Sequence, residues 1–194
     1  MNQTNSIKLA QSSVITLIEK AKRPFPDDWN KDVDLPFFTS IARPKTHGLR
    51  SESLKSSDHP SKAHLWSDDR TLKANRIACL CTNSQAKSIV PSFGIHLIGL
   101  NIKGILKCEY SQTNFQVWIE HSNFIDTIDL QFAHLESFSL DDAICKDIHA
   151  DGIITNGSVY FDRGFTAYGR VNLIRATVEK RLDCTGGKFL YSAP

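Results

Sequence analysis

The chain has 194 residues, 41% hydrophobic and 23% charged, long enough to bury a core without help from disulfides or a metal. A formal net charge of +2 gives no electrostatic footprint for nucleic acid, so no nucleic-acid partner is expected. No run approaches the roughly 18 apolar residues of a transmembrane segment, and the start MNQTNSIKLAQSS lacks the basic-then-apolar pattern of a signal peptide. The expectation is a cytoplasmic protein, with peripheral association to a membrane left open.

Charge divides along the chain. Residues 1–94 hold 14 Lys/Arg and 9 Asp/Glu, a net of +5; residues 95–194 hold 9 and 12, a net of −3. Three regions follow: 1–67, an amphipathic helix and a Pro/Ser-rich stretch; 68–93, a second helix and entry; and 94–194, a repeat.

In chain order, Leu9, Ala10, Val14, Leu17, Ile18 and Ala21 lie at helical spacing and predict a helix over 6–22, stopped by Pro24 and Pro26. Residues 23–67 show no period. Prolines recur and SESLKSSDHPSKAH is polar, which reads as an irregular stretch, partly mobile between about His47 and His64, with Phe37, Phe38 and Ile41 pinning its middle. Leu72, Ile77, Leu80 and Cys81 then predict a helix from about Asp69 to Thr82. Cys79 and Cys81, two apart, cannot share a face of it.

After Pro91 the period changes. Apolar residues come as i, i+2 doublets: Ile95/Leu97, Leu100/Ile102, Leu106/Cys108, Phe115/Val117, and onward to Val171/Leu173, Leu182/Cys184 and Gly187/Phe189. Such a doublet marks a very short strand with two inward side chains. Doublets recur after five or six residues, and alternate ones near eleven, as in Ile95 to Leu106 and Val171 to Leu182. Four sides make a coil of roughly 20–22 residues, and coils stack about 4.8 Å apart. The prediction is a mainly β fold, a right-handed β-helix of about four to five coils behind a helical and irregular N-terminal region. Its interior takes Cys108, Cys145 and Cys184, with Ala133, Ala143, Ala167 and Ala176 where the bore is narrow. The five cysteines, lacking any CxxC pair, read as buried thiols. Aspartate at Leu173 is expected to unfold the C-terminal coils.

With those positions laid out, the chain resembles bacterial proteins labelled membrane-associated oxidoreductases, distant cousins of the pentapeptide-repeat proteins. The matching stretches are GIHLIGLNIKGILKC (94–108) and NGSVYFDRGFTAYGRVNLIRATVEKRLDCTGGKF (156–189). Trp66 and the basic segment 70–82 match the tryptophan and short helix before the first coil. The resemblance covers about 66–194 and implies a right-handed β-helix. The label's chemistry would need a cofactor, yet there is no GxGxxG fingerprint and no flavin or haem ligand set, so no cofactor is expected. Family members are often longer, and this chain looks shortened at FLYSAP. The end of the solenoid is therefore a candidate surface for self-association or for another protein.

No catalytic, metal or cofactor set stands out. His96, His134 and His149 should point outward, at separations that fit no local zinc motif. Among outward charges Asp129, Asp162, Arg163 and Arg170 are the candidates for a glycan- or polysaccharide-active enzyme. Trp118 and Tyr160 fall between inward residues and should leave the core, either beneath the N-terminal region or as a contact patch for another protein. The leading functional expectation is a non-catalytic protein-interaction or scaffolding module; the glycan-active enzyme is the alternative.

Overall fold

In the computed structural model the described residues are 19, 22, 25, 27–42, 56–88 and 90–191. The predicted helix over 6–22 lies outside them except for Glu19 and Lys22, both helical.

From Thr71 onward the chain winds into a four-sided parallel β-solenoid, pentapeptide-repeat-like in its coil. The first face stacks Ile95–Ile98, Val117–Glu120, Phe138–Ser139, Val159–Tyr160 and Leu182–Asp183. The second stacks Thr71–Lys73, Asn101–Lys103, Asn123–Phe124, Ile144–Cys145, Thr166–Ala167 and Lys188–Phe189. The third holds Leu106–Lys107, Ile128–Asp129, Ile148–His149 and Val171–Asn172. The fourth holds His134–Leu135, Ile154–Thr155 and Thr177–Val178, preceded by a bridge from Gln112 to His134. The register Ile95↔Val117↔Phe138↔Val159↔Leu182 makes successive coils 22, 21, 21 and 23 residues long. Each strand is too short to be stable alone; it persists because both neighbours in the stack complete its hydrogen bonds.

Doublets from Ile95/Leu97 to Phe165/Ala167 line the interior as expected. Four inward positions are polar and so escape an apolar reading: Ser111, Thr113, Ser122 and Thr155, each buried. Three of them satisfy their hydroxyls locally. Ser122 Oγ donates to the Glu120 carbonyl and accepts from Leu100 N–H, Thr113 Oγ1 donates to the Phe115 carbonyl, and Thr155 Oγ1 to that of Gly157. A hydroxyl bonded to its own corner costs the core little.

Corners are turned by glycines and by non-glycine residues alike. Between the first and second faces the stacked corner residues are Gly99, His121, Asp142, Arg163 and Gly186, and all have positive φ. Between the third and fourth faces Tyr110, Phe132, Gly152 and Arg175 do the same. Six non-glycine residues thus hold φ between 47° and 58°, a conformation that disfavours a Cβ by about 1–2 kcal/mol. The repeat imposes the turn, and neighbouring coils hold it. Phe132 shows why glycine remains at 152: its ring lies where a Cβ on Gly152 would stand, 2.6 Å away.

The N-terminal end of the bore is closed. Thr71–Lys73 is a strand, pairing with Asn101–Lys103, and the helix expected from about Asp69 begins only at Ala74. Leu72 is fully buried there, because edge pairing wins over another helical turn. Helix α2 (Ala74–Thr82) lies across the bore with Ile77, Leu80 and Cys81 facing the first coil's core. A short helix α3 (Ser84–Lys87) follows, capped by the Asn83 side chain.

The stretch read as irregular contains helix α1 (Lys31–Ala42). Val33, Phe37, Phe38 and Ile41 form its buried face, and Pro36, early in the helix, removes a single internal bond. Phe37 and Phe38 therefore do pin the region, through a helix that proline punctuation hid. Residues 56–64, read as partly mobile, fall in 3-10 turns at Ser56–Asp58 and Pro60–Leu65, the second of which packs on Asn123–Phe124 of the second face.

At the other end the core opens. Val171, Leu173, Ala176 and Val178 are half-buried, while Leu182 and Phe189 are 47% and 46% exposed. Cys184, expected inside, occupies an inward register position but is exposed, since no described coil covers it.

Candidate functional site

Stacking brings outward residues of equal register together, so candidate sites are columns along the axis. The richest column lies at the corner of the first and second faces. Glu120, Asp141 and Asp162 stack there on three successive coils, beside the left-handed residues His121, Asp142 and Arg163.

Asp141 is buried by the coils around it, and its carboxyl hydrogen-bonds that of Asp162. Burial, with that contact, pushes its pKa up to about 7. One oxygen of each carboxyl, Oδ1, is buried without a hydrogen-bond partner among the described residues. Two carboxyls side by side repel when both are charged, which adds to the burial that holds Asp141 up. Arg163 Nε lies 3.6 Å from Asp141 and 3.9 Å from Asp162 but is largely solvated, and it offsets the repulsion only in part. Next to them His121 Nδ1 is 2.6 Å from Asp142 Oδ2, and this contact raises the His121 pKa. His59, from the 3-10 segment, reaches the other Asp142 oxygen at 3.7 Å.

Of the four residues named for glycan chemistry, the corner gathers Asp162 and Arg163. Asp129 sits on the third face, in register with Lys107 and His149, and its carboxylate accepts from Gln131 N–H. Arg170 sits at the corner of the second and third faces, against Tyr191. The four do not converge.

Trp118 and Tyr160 do share a column on the first face, separated by Ser139. The Trp118 ring meets His96 edge-on at 5.5 Å, and its indole N–H is buried without an acceptor among the described residues. His96 Nε2 is 3.2 Å from Glu120, which ties this column to the acidic corner. Ser139, caught between the two aromatics, is 2% exposed.

Trp66 and Arg70 lash the 3-10 segment to the same corner. The Arg70 guanidinium stacks 3.7 Å over Trp66, donates to the Gly99 carbonyl at 2.8 Å and pairs with Asp58 at 2.7 Å. Among the described residues no group of three or more His, Cys, Asp or Glu is arranged to hold a metal ion. Burial pushes the Cys145 thiol up to about 12, which leaves it without a reactive thiolate.

Comparison with known families, with curated proteins and with solved structures finds no match. Geometry alone assigns the fold. The solenoid is shown; the oxidoreductase-labelled family is not.

Sequence reading missed a further feature. Tyr110 and Phe132, 71% and 50% exposed, stack at 5.3 Å with planes 16° apart. Their rings pile along the axis and present edges outward, a ladder that braces the corner and offers no flat platform. They hid because they sit at turn positions, outside any doublet. Equal placement in successive 22-residue units is the signal that would have paired them.

Proposed function

We propose that the protein is a non-catalytic interaction module, a rigid solenoid that associates through its last described coil. The observation that supports this reading is the run of Leu173, Val178, Leu182 and Phe189, apolar side chains in inward register that the described residues cover only in part. The coil also leaves one edge of each strand without a described partner, and such edges readily pair with another chain. A second copy is the occupant to test first, because an end of this kind offers the same apolar run and the same free edges to an identical end. On the first face Trp118 and Tyr160 form the lateral contact patch of this reading.

Sedimentation at high protein concentration tests the association. Wild type is expected to dimerise reversibly and Leu182→Glu to stay monomeric with little loss of stability, since Leu182 is already half exposed. A strict monomer at high concentration removes self-association.

A glycan-active enzyme is the second reading, favoured by Asp162 and Arg163 meeting Asp141 at one corner. Turnover of a polysaccharide that Asp162→Asn abolishes would support it.

A further inference from the structure

A groove of about 550 Å³ runs between helix α3 and the fourth face. Ser84 and Ser88 line one side, and Asn114, His134, Glu136 and Asn156, from three successive coils, line the other. We infer that this groove binds a neutral oligosaccharide, laid along the solenoid axis.

Its chemistry excludes other ligand classes first. Val90 is its one apolar wall residue, too little to hold an apolar ligand. Lys87 and Glu136 balance one another, so the groove has no charge bias for a phosphate or a polyanion. Lys87 Nζ is moreover already bonded to the Gln112 carbonyl at 2.9 Å.

What the groove does present is planar, paired and fixed. His134 Nε2 lies 3.0 Å from Asn156 Oδ1, and Asn156 Nδ2 donates to Glu136 Oε2 at 3.2 Å. This chain locks three side chains in place before any ligand arrives, which lowers the ordering cost of binding. The exposed amides of Gln112 and Asn114 stand beside it. An amide offers both donors and acceptors, and a carboxylate two acceptors; vicinal hydroxyls, each donor and acceptor at once, match that pattern. Spacing agrees as well. Coils repeat at about 4.8 Å, close to the rise of one pyranose ring in an extended chain, so each coil meets about one sugar ring. Glu136 has no second carboxyl across the groove, so the inference is of binding without turnover.

This inference is independent of association through the last coil, which lies at another place on the solenoid. The test is amide-detected titration of the full chain with cellohexaose, xylohexaose, maltohexaose and chitohexaose, and with trigalacturonate as the acidic comparison. Each is added to about 10 mM, above the millimolar Kd expected of a shallow polar groove. At least one neutral oligomer is expected to shift Asn114, His134, Glu136 and Asn156. Ser84→Trp, which fills the groove without touching the hydrogen-bonded chain, is expected to weaken binding at least tenfold, as is Asn114→Ala. Both sites are exposed, and an unchanged melting temperature shows that each variant folds. No shift with any neutral oligomer, shifts confined to other faces, a preference for trigalacturonate, or full affinity in both variants would each overturn the inference.

Discussion

Asp141 shows how a stacked repeat changes the chemistry of single residues. On an isolated strand its carboxyl would be solvated; here Glu120 and Asp162 stand directly above and below it, and the coils remove its water. The folded protein therefore prefers Asp141 protonated, with its pKa raised from 3.8 to about 7. Below the unfolded value this costs nothing. Stability is then lost as pH rises from there through about 7, by an amount on the order of a few kcal/mol. His121 moves the same way: its raised pKa adds stability that is complete below 6.5 and disappears as pH rises through the folded value. The expected outcome is a melting temperature lower at pH 8 than at pH 5. Asp141→Asn should flatten that dependence, with its gain at pH 8 and little change at pH 4. A pH profile in the variant identical to wild type would show that Asp141 ionises normally.

Among the elements, α2 and α1 are joined by a buried ion pair that carries the attachment of the N-terminal region. Arg76, fully buried, reaches both oxygens of Asp34 at 2.9 Å, donates to Asp28 and lies 4.1 Å over Phe25. Asp34 also accepts from Asn30 N–H at 2.8 Å, which fixes the start of α1. Removing one partner strands the other charge in the interior. Arg76→Met alone is expected to destabilise by roughly 3–5 kcal/mol, while adding Asp34→Leu should recover most of the loss. Chemical denaturation of the two variants reads this directly; equal stability of single and double variants would mean that the pair is not coupled.

The strands make a different point. Leu140 is fully enclosed between coils, and Leu140→Ala is expected to cost about 2–5 kcal/mol. Leu173, an equally good residue by its doublet, is only half-buried, with no described coil stacked beyond it. Aspartate at Leu173 should therefore lower the melting temperature modestly, whereas aspartate at Leu140 should abolish cooperative melting. Equivalent doublets differ in energy by where their coil stands in the stack.

At the scale of the whole molecule, one end of the solenoid is closed, and the other is left uncovered by the described residues. Helix α2 seals the first coil with Ile77, Leu80 and Cys81, and the Cys81 thiol meets Cys108 in the core below. Nothing described seals the last coil. The same asymmetry underlies the proposed association, and it leaves the four side faces as the polar surfaces on which ligand recognition has to be built.

The fold was legible in the sequence because the doublet is a local signal: two inward residues, a corner and two more repeat whatever the rest of the chain does. The polar inward residues Ser111, Thr113, Ser122 and Thr155 were not, since a hydroxyl residue carries no apolar signal; the last three answer to carbonyls supplied by the corners. Helix α1 was hidden for another reason; Pro36 interrupts a pattern that only packing against the strand at Thr71 makes worth keeping. Candidate sites were legible as residues but not as groups. Asp162 and Arg163 were named, yet Asp141, Glu120 and His121 join them only because two successive coils of 21 residues place those positions one above another. The groove of Asn114, His134, Glu136 and Asn156 likewise spans three coils and a helix wall. Sequence alone determined the period and the apolar doublets that line the core, because spacing along one chain suffices for both. Which side chains meet across coils was decided by the tertiary structure, because register sums small differences in coil length that no single repeat contains.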